Sequence, residues 1–253
     1  MPLTVRQFPC LSDNYGFLIR DEATGKTGCI DTPDAGAVLA ELDKAGWKLD
    51  FILNTHWHPD HAGGNAQIKA ATGAFIVGPA EVTRIAPLDR TVVHGDTVEL
   101  GETRFEVIDT GGHTLGHITY FDEADHIAFV GDTLFALGCG RLFEGTAQQM
   151  WTSLQRLAAL PDDTTVYCAH EYTASNARFA LSVDEAPAVK ARAQAIFAAR
   201  ERGEPTVPTT IALEKATNPF LRAPVLAGRV GKAGAPDYEA FGAVRAAKDG
   251  FRG

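Results

Sequence analysis

The sequence contains little of what a secreted, membrane-bound or disulfide-stabilised protein needs. It has four cysteines, at positions 10, 29, 139 and 168, and they show neither the spacing of a zinc knuckle nor the density of a disulfide framework. Such cysteines suit a reducing compartment. The N-terminal segment Met-Pro-Leu-Thr-Val-Arg lacks the apolar core of a signal peptide, and no apolar run is long enough to span a bilayer. We therefore expect a cytoplasmic protein with no membrane partner.

Basic residues are also scarce. The 23 Lys and Arg residues are outnumbered by 32 Asp and Glu residues, which gives a net charge of −9. With no evident basic face to neutralise phosphates, nucleic acid is not an expected partner. Hydrophobic residues make up 45% of the chain and charged residues 22%, the ordinary balance of a globular protein. A chain of 253 residues can bury one large core with a small appendage, and no obligate protein partner is evident.

Short apolar runs alternate with turn signals over the first two thirds of the chain. They predict helices over 34–45 and 65–72, and a third helix capped by Thr146. The apolar runs predict strands. These strands are 17–19, 28–30, 51–53, 75–77, 91–93, 97–99, 103–109, 117–121, 126–130 and 164–168. The pattern is typical of an α/β fold.

The composition changes near Thr173. Strand signals disappear, alanine becomes frequent, and proline and glycine separate the helical segments. We predict helices over 187–202 and 236–250, with a loop over 223–235. The chain is therefore expected to contain an α/β domain over residues 1–172 and a helical domain over residues 173–253.

The segment from Thr55 to His61 places three imidazoles and a carboxylate within six consecutive positions. Neutral imidazole and carboxylate are the usual ligands of zinc and its first-row neighbours. His56 and His58 are two residues apart, so on an extended segment they point the same way. Asp60 and His61 follow where the chain turns, so they are able to face a second point. A polar loop with scattered histidines is the alternative, but folding alone has no use for so many titratable groups side by side.

Three further candidates each follow an apolar strand by a few residues: His113, Asp132 and His170. Strands of one sheet whose ends share a rim bring such groups together. Taken singly, each has a structural alternative: His113 as a turn residue, Asp132 as a cap or turn, and His170 as a buried, hydrogen-bonded histidine. The repetition of the same layout favours a common site.

The candidates divide into two sets of three ligands and one shared carboxylate. The sets are His56, His58 and His113, then Asp60, His61 and His170, with Asp132 shared. Two bridged metal ions would lie about 3.5–4 Å apart and hold a hydroxide between them. We expect His94 and His126 at the surface. His117 is expected to pack beside the site rather than to bind metal.

These motifs resemble known families. The pattern His-x-His-x-Asp-His, with the spaced His, Asp and His, resembles the metallo-β-lactamase superfamily, whose fold is a four-layer αβ/βα sandwich. More narrowly, the sequence resembles the glyoxalase II (hydroxyacylglutathione hydrolase) family over nearly its whole length. The segments that carry this likeness are Ser12-Asp-Asn-Tyr15, Gly131-Asp-Thr-Leu-Phe135, Gly138-Cys-Gly-Arg-Leu-Phe-Glu-Gly-Thr146, Ala169-His-Glu-Tyr-Thr173, Lys215-Ala-Thr-Asn-Pro-Phe-Leu-Arg222 and Arg245-x-x-Lys-Asp249. The resemblance implies the sandwich with a C-terminal helical appendage.

The resemblance also implies an activity. Members hydrolyse S-(2-hydroxyacyl)glutathione, typically S-D-lactoylglutathione, to glutathione and D-lactate, the second step of methylglyoxal detoxification. It implies two divalent metal ions held by the seven ligands above, a metal-bridging hydroxide as nucleophile, and Asp60 and Asp132 as catalytic ligands. Zinc is expected, although iron and manganese also suit His and Asp. The implied substrate contacts are Arg141, Phe143, His170, Tyr172, Arg245 and Lys248. Phe143 stands where some members have tyrosine, which removes one hydroxyl donor.

Arg245 and Lys248 are three residues apart on the last predicted helix, so they are neighbours on one face. With the family likeness they form a clamp for a carboxylate; a solvated helix face is the alternative. Asp31 and the Thr110-Gly-Gly-His113 segment are expected to orient imidazoles, with simple turn residues as the alternative. Cys139 is expected to be a small buried residue rather than a nucleophile.

Three other functions use the same scaffold or ligands. A persulfide dioxygenase would need one iron and fewer ligands, and the helical tail argues against it. A metallo-β-lactamase or a nuclease is a further alternative: the tail and the acidity of the chain disfavour nucleic acid, and hydrolysis of a β-lactam can be assayed directly. A non-catalytic metal-binding protein would not need all seven ligand types.

Overall fold

The computed structural model describes residues 3–253, which pack as two compact units. The first unit contains the described residues up to Asp109 together with 116–131, and the second contains 110–115 together with 132–253. Among the helices of the described residues, none has the length and apolarity needed to cross a membrane. The domain boundary predicted after residue 172 falls inside the second unit. It separates the residues predicted to bind metal from helices predicted to bind substrate, and the division into compact units does not test that prediction.

The first unit begins with a mixed sheet. Its strands follow the order β1 (Leu3–Cys10), β2 (Asn14–Asp21), β3 (Thr27–Ile30), β4 (Phe51–Leu53), β5 (Phe75–Gly78) and β6 (Arg90–Thr91). The first three strands are antiparallel and the others pair in parallel. Phe17 lies opposite Ile30, so the strands predicted over 17–19 and 28–30 are confirmed and pair as a hairpin. Strand β1 was not predicted because Pro9 interrupts its run of strand-forming residues. Proline is tolerated there because β1 lies at the edge of the sheet.

Helices α1 (Ala35–Ala45), α2 (Pro59–Ala62) and α3 (Asn65–Thr72) connect these strands, with a short 3₁₀ helix over Ala80–Arg84. Helix α1 begins where the Asp34 side chain accepts a hydrogen bond from the Ala37 N–H, and it ends at Gly46, whose φ of 67° suits glycine. Val38 and Leu42 on its buried face share one hydrophobic cluster with residues of the sheet. The predicted helices of this region are confirmed.

A second group of strands in the first unit is antiparallel, in the order β7 (Thr97–Leu100), β8 (Thr103–Asp109), β9 (Ile118–Asp122) and β10 (Ile127–Gly131). The Phe129 ring lies 5.8 Å from that of Phe17 on β2 and 6.2 Å from that of Phe105. These aromatic side chains fill the space between the two sheets. The first unit therefore has a helical layer, a sheet and a facing sheet, as the sandwich expectation requires.

The second unit is mostly helical. Its elements are β11 (Leu134–Phe135), β12 (Gly138–Cys139), α4 (Ala147–Ala158), β13 (Thr165–Cys168), α5 (Thr173–Val183), α6 (Pro187–Glu201), β14 (Thr209–Thr210), α7 (Ile211–Thr217), α8 (Ala223–Leu226) and α9 (Asp237–Gly250). Thr146 and Gln149 form the capping box of α4, as the Thr146 cap prediction expected. The predicted helices α6 and α9 are also confirmed.

Two expectations for the tail were incomplete or wrong. Helix α5 was not predicted because its buried face includes Thr173, Asn176 and two alanines, which give little periodic hydrophobic signal. The loop expected over 223–235 begins instead with the single helical turn of α8. Pro224 occupies an early position of that turn, where the missing N–H has no helical partner to lose.

Candidate metal centre

In the first unit, the chain leaves β4 and enters α2 through the histidine-rich segment. The imidazoles of His56 and His61 are buried. The Nε2 atom of His56 lies 3.1 Å from Nδ1 of His58, and Nε2 of His61 lies 3.6 Å from Oδ2 of Asp60. The four candidate ligands of this segment therefore lie together, as two neighbouring pairs.

Asp31 orients the His61 imidazole. Its Oδ2 atom lies 2.8 Å from Nδ1 of His61, and its two carboxylate oxygens also accept from the backbone N–H and the hydroxyl of Thr55, both at 2.8 Å. A carboxylate that accepts from Nδ1–H leaves Nε2 without a proton, which is the form that binds metal. The expected role of Asp31 as an orienting residue is borne out by these contacts. Its φ of 56° places its backbone in the left-handed region.

Asn14 was not singled out as a functional residue. It is buried at the start of β2, and its side-chain amide donates to Oδ2 of Asp60 at 3.1 Å and to the Asp60 carbonyl at 3.3 Å. The His61 carbonyl accepts from the Thr32 N–H at 2.7 Å and from the Asn54 amide at 3.1 Å. Asn14 and Asp60 are 46 residues apart, so only the resemblance around residues 12–15 could have drawn attention to Asn14.

The remaining histidines of the first unit lie largely as expected. His117 is buried just before β9, and its ring stacks on that of His56 with centroids 4.7 Å apart. A side chain at Gly131 would put its Cβ 2.6 Å from Nε2 of His117, so glycine is required there. His94 is exposed. His126 is half-buried in a turn, with φ of 50°.

In the second unit, three residues from distant parts of the sequence meet. The Nε2 atoms of His113 and His170 lie 3.3 Å from Oδ2 and Oδ1 of Asp132, respectively. All three side chains are buried. Each residue follows a strand in the sequence, so the expected convergence of His113, Asp132 and His170 is observed. One carboxylate with an imidazole at each oxygen has the donor arrangement expected of a shared ligand.

The His113 ring is oriented by the backbone of the Gly-Cys-Gly-Arg segment. Its Nδ1 atom lies 2.8 Å from the carbonyl oxygen of Arg141, so Nδ1 carries the proton and Nε2 is available for metal. A Cβ on Gly140 would lie 2.0 Å from the Asp132 carbonyl oxygen, which only glycine avoids. The Glu144 carboxylate accepts from the Leu115 N–H at 2.9 Å and so holds the other side of the His113 loop.

Two aromatic side chains expected to contact substrate lie beside these imidazoles. The Phe143 ring is 5.2 Å from that of His113 and is 63% exposed. The Tyr172 ring stacks on that of His170, with centroids 4.6 Å apart and planes 4° apart. Arg141 is exposed. Phe143 and Tyr172 therefore place aromatic rings against the two imidazoles, and the exposed Arg141 adds a positive charge.

The two basic residues expected to clamp a carboxylate differ in their surroundings. Arg245 is buried, and its guanidinium donates to the Cys139 carbonyl at 2.8 Å and to Oδ1 of Asp249 at 2.9 Å. Lys248 is half-buried and donates to the carbonyl and hydroxyl oxygens of Ser175 at 3.1 and 3.0 Å. Burial, with the positive charges of Arg245, Arg178 and Arg141, lowers the pKa of Lys248 to about 8.

Cys139 is unsuited to nucleophilic attack. It is buried, and burial raises the pKa of its thiol to about 11, so almost no thiolate is present at neutral pH. The expectation that Cys139 is a small packing residue is confirmed. All four cysteines are buried and free.

The donor sets of both units fit divalent metal ions. The nitrogen atoms of His56 and His58 are close enough for both to bind one ion at the usual metal–nitrogen distance of about 2.0–2.1 Å. The Nδ1 contacts of His61 and His113 leave Nε2 as the ligand atom in each ring. Imidazole and carboxylate together suit zinc, iron or manganese.

Comparisons with known proteins agree with this chemistry. A family model of the metallo-β-lactamase superfamily matches residues 28–170, and a model of the hydroxyacylglutathione hydrolase C-terminus matches residues 171–251. A hydroxyacylglutathione hydrolase of Maricaulis maris is 56% identical over 253 residues, covering 98% of this chain and 99% of the relative. That of Erythrobacter litoralis is 55% identical over 252 residues, covering 98% and 100%.

A solved structure extends the likeness to three dimensions. The crystal structure of ETHE1 from Myxococcus xanthus superimposes with a TM-score of 0.68 at 29% identity, covering 97% of this chain and 98% of that one. The expected fold class, an α/β metallo-β-lactamase sandwich with a C-terminal helical region, is thereby confirmed. The chain belongs to the hydroxyacylglutathione hydrolase family of the metallo-β-lactamase superfamily.

Proposed function

We propose that this protein hydrolyses glutathione thioesters, converting S-(2-hydroxyacyl)glutathione such as S-D-lactoylglutathione to glutathione and a 2-hydroxy acid such as D-lactate. This is the second step of methylglyoxal detoxification. The observation that carries the proposal is the likeness to hydroxyacylglutathione hydrolases at 55–56% identity over essentially the whole length of both chains. The match of residues 171–251 to the C-terminal model of that family separates this function from other activities of the superfamily.

We propose that two divalent metal ions, zinc in the first place and iron or manganese as alternatives, are bound by the seven predicted ligands. These are His56, His58, Asp60, His61, His113, Asp132 and His170. The match to the superfamily model spans all seven positions. When bound, such ions act as Lewis acids and make hydroxide available at neutral pH by lowering the pKa of water to about 7.

The remaining roles belong to side chains and backbone of the protein. Asp31 and the Arg141 carbonyl hold His61 and His113 in the tautomer that exposes Nε2. Asn14 fixes the carboxylate of Asp60. The leaving group is a thiolate with an intrinsic pKa of about 8.5, so it departs with little protonation and needs no dedicated general acid. The high pKa of Cys139 agrees with attack by water rather than by an enzyme thiol.

Substrate binding is assigned to Arg141, Phe143, His170, Tyr172, Arg245 and Lys248. On this proposal residues 1–172 form the metal-hydrolase domain, and residues 173–253 contribute the substrate-binding helices. Local charge must attract the anionic substrate because the chain as a whole carries −9. Arg141, Arg178, Arg245 and Lys248 supply positive charge in the second unit. Four free, buried thiols support a reducing, cytoplasmic location.

The test is thioester hydrolysis with elemental analysis on the same protein sample. We expect release of free thiol from S-D-lactoylglutathione and about two equivalents of metal per chain. Removal of the metal with a chelator should abolish the activity, and zinc should restore it. Oxygen consumption on glutathione persulfide, or hydrolysis of a β-lactam, without thioester hydrolysis would refute the proposal in favour of another function of the superfamily.

The pH dependence of substrate binding should follow Lys248. Because its pKa in the folded protein is lowered to about 8, its positive charge is present below that pH and is lost as the pH rises through it. We expect kcat/KM to fall above pH 8, mainly through KM. Lys248→Ala should raise KM roughly tenfold or more at pH 7 with little change in kcat, since a charge-assisted contact contributes about 1.5–3 kcal/mol.

Lys248→Arg is the matched control. Arginine keeps the charge throughout the accessible pH range, so the fall above pH 8 should disappear while KM at pH 7 stays near the parent value. A lower kcat with unaltered KM in Lys248→Ala would contradict a role in binding.

A further inference from the structure

The short turn between β11 and β12 is held by buried side chains from the helical tail. The Asn218 amide, at the end of α7, donates to the carbonyl oxygens of Phe135 and Gly138 at 3.1 and 2.9 Å. The Asn176 amide on α5 donates to the carbonyl of Ala136 at 3.1 Å. Two asparagine amides therefore donate to three of the four carbonyl groups of residues 135–138, so side chains of the helical tail hold the backbone of this turn.

Glu214 on α7 completes this arrangement. Its Oε2 atom accepts from the Leu137 N–H and from the Asn218 amide, both at 2.9 Å. The other oxygen accepts from the Thr209 hydroxyl at 2.6 Å and from the Arg192 guanidinium. Glu214 and Asn218 are each 0% exposed. Because four donors surround this buried carboxylate, its position is fixed, and it in turn fixes the Asn218 amide and the Leu137 N–H.

The turn lies between a candidate metal ligand and the group that orients another. Asp132 precedes β11, and Arg141, whose carbonyl holds Nδ1 of His113, follows β12. The Gly140 N–H donates to the Thr133 carbonyl at 3.2 Å, so the two ends of the segment are joined. A shift of the turn would therefore move the Asp132 carboxylate and the Arg141 carbonyl together.

We propose that Glu214 and Asn218 are positioning residues of the metal centre, acting through the 133–141 segment on Asp132 and His113. Both are buried, and their hydrogen bonds go to the turn, to each other and to Thr209 and Arg192, so their effect is on ligand geometry rather than on substrate. This gives the Lys215-Ala-Thr-Asn218 segment a function besides packing. The inference rests on the proposed metal binding.

The test is the zinc affinity of the full-length protein carrying Asn218→Asp. The substitution keeps the shape of the side chain but puts a carboxylate oxygen against the carbonyls of Phe135 and Gly138, so the turn must shift. We expect the dissociation constant for Zn²⁺, measured by competition with a chromophoric chelator, to rise 10- to 100-fold. Glu214→Gln, which exchanges one acceptor for a donor, should change it in the same direction.

A second measurement reports on His113 without any metal. In the metal-free parent, ¹⁵N-labelled histidine spectra should show His113 with its proton on Nδ1, because that atom lies 2.8 Å from the Arg141 carbonyl. In Asn218→Asp the signal should move toward a mixture of the two tautomers. A substitution that lowered stability alone would leave the tautomer of the folded fraction unchanged.

Asp184→Asn is the matched control. Asp184 is buried in the same helical region, and its carboxylate accepts from Nε of Arg222 at 2.7 Å and from the Ala186 N–H at 2.9 Å rather than from the turn. We expect it to lower the melting temperature and to keep the zinc affinity and the His113 tautomer of the parent. The inference is overturned if Asn218→Asp and Glu214→Gln bind Zn²⁺ as the parent does, or if Asp184→Asn loses affinity equally. A parent protein that binds no zinc would instead refute the proposed metal centre itself.

Discussion

Asp132→Ala is expected to release at least one metal ion and to reduce turnover by on the order of 1000-fold or more. Each oxygen of this carboxylate lies 3.3 Å from an imidazole, one from His113 and the other from His170. Alanine removes both oxygens, so two histidines lose the carboxylate that contacts them and the proposed metal ions lose a ligand. A 1000-fold loss corresponds to about 4 kcal/mol, within the several kcal/mol that a catalytic metal supplies.

The measurement combines metal content, from elemental analysis after exhaustive dialysis, with the rate of thioester hydrolysis. Asp122→Asn is a suitable control because Asp122 is also a buried aspartate but lies in the first unit and accepts from the Ala124 N–H at 3.0 Å. The control should keep its metal and its rate. Unchanged metal content and rate in Asp132→Ala would refute the assignment of Asp132 as a ligand.

Asp31→Asn is expected to weaken metal binding 10- to 100-fold, the usual effect of removing the partner of a metal-binding histidine. Asparagine fits the left-handed backbone at this position, where φ is 56°, so the fold should persist. Its single acceptor oxygen cannot serve both the Thr55 donors and Nδ1 of His61, which the carboxylate now does at 2.8 Å. His61 would then tend to move its proton to Nε2, the atom that we propose binds metal.

The prediction is measured as the dissociation constant for zinc and as loss of hydrolysis at limiting metal. Asp21→Asn provides the comparison: Asp21 is buried in the same unit and accepts from the backbone N–H groups of Glu102 and Thr103 at 2.6 and 2.7 Å. Although its burial acts in the opposite direction, these and other hydrogen bonds lower the pKa of Asp21 to about 2. Asp21→Asn should therefore reduce stability above pH 4 while leaving zinc affinity intact. If the two variants bind zinc equally well, the prediction that Asp31 supports metal binding by orienting His61 is wrong.

Much of the fold was predictable because its signals are local. Helix α1 has a capping aspartate, two core residues at helical spacing and a terminal glycine, all within thirteen positions. The hairpin of β2 and β3 has its turn residues between two apolar runs. Strand β1 and helix α5 were missed because proline in one and small or polar buried residues in the other hide the periodic pattern.

The candidate ligands were also predictable, as was the orienting role of Asp31, but other residues that support the ligands were not. Histidine and aspartate in a dense cluster, or directly after strands, indicate metal binding by their chemistry alone. Asn14, Glu144 and Asn218 are ordinary polar residues whose importance comes from what they contact. Asn14 and its partner Asp60 are 46 residues apart, and Asn218 and Phe135 are 83 residues apart. Residue pairs so far apart follow no fixed spacing that could be recognised in a single sequence.

The sequence by itself determined the donor chemistry, the α/β class and the family, because these depend on residue types, local periodicity and motif spacing. Only the tertiary structure decided which nitrogen of His61 and of His113 is left as a possible metal ligand, and which group holds the other nitrogen. Those choices depend on contacts such as Asp31 with His61 and the Arg141 carbonyl with His113, both at 2.8 Å. A hydrogen bond forms only within a range of a few tenths of an ångström in the donor–acceptor distance. The packing of the whole chain around the two groups therefore decides whether it forms.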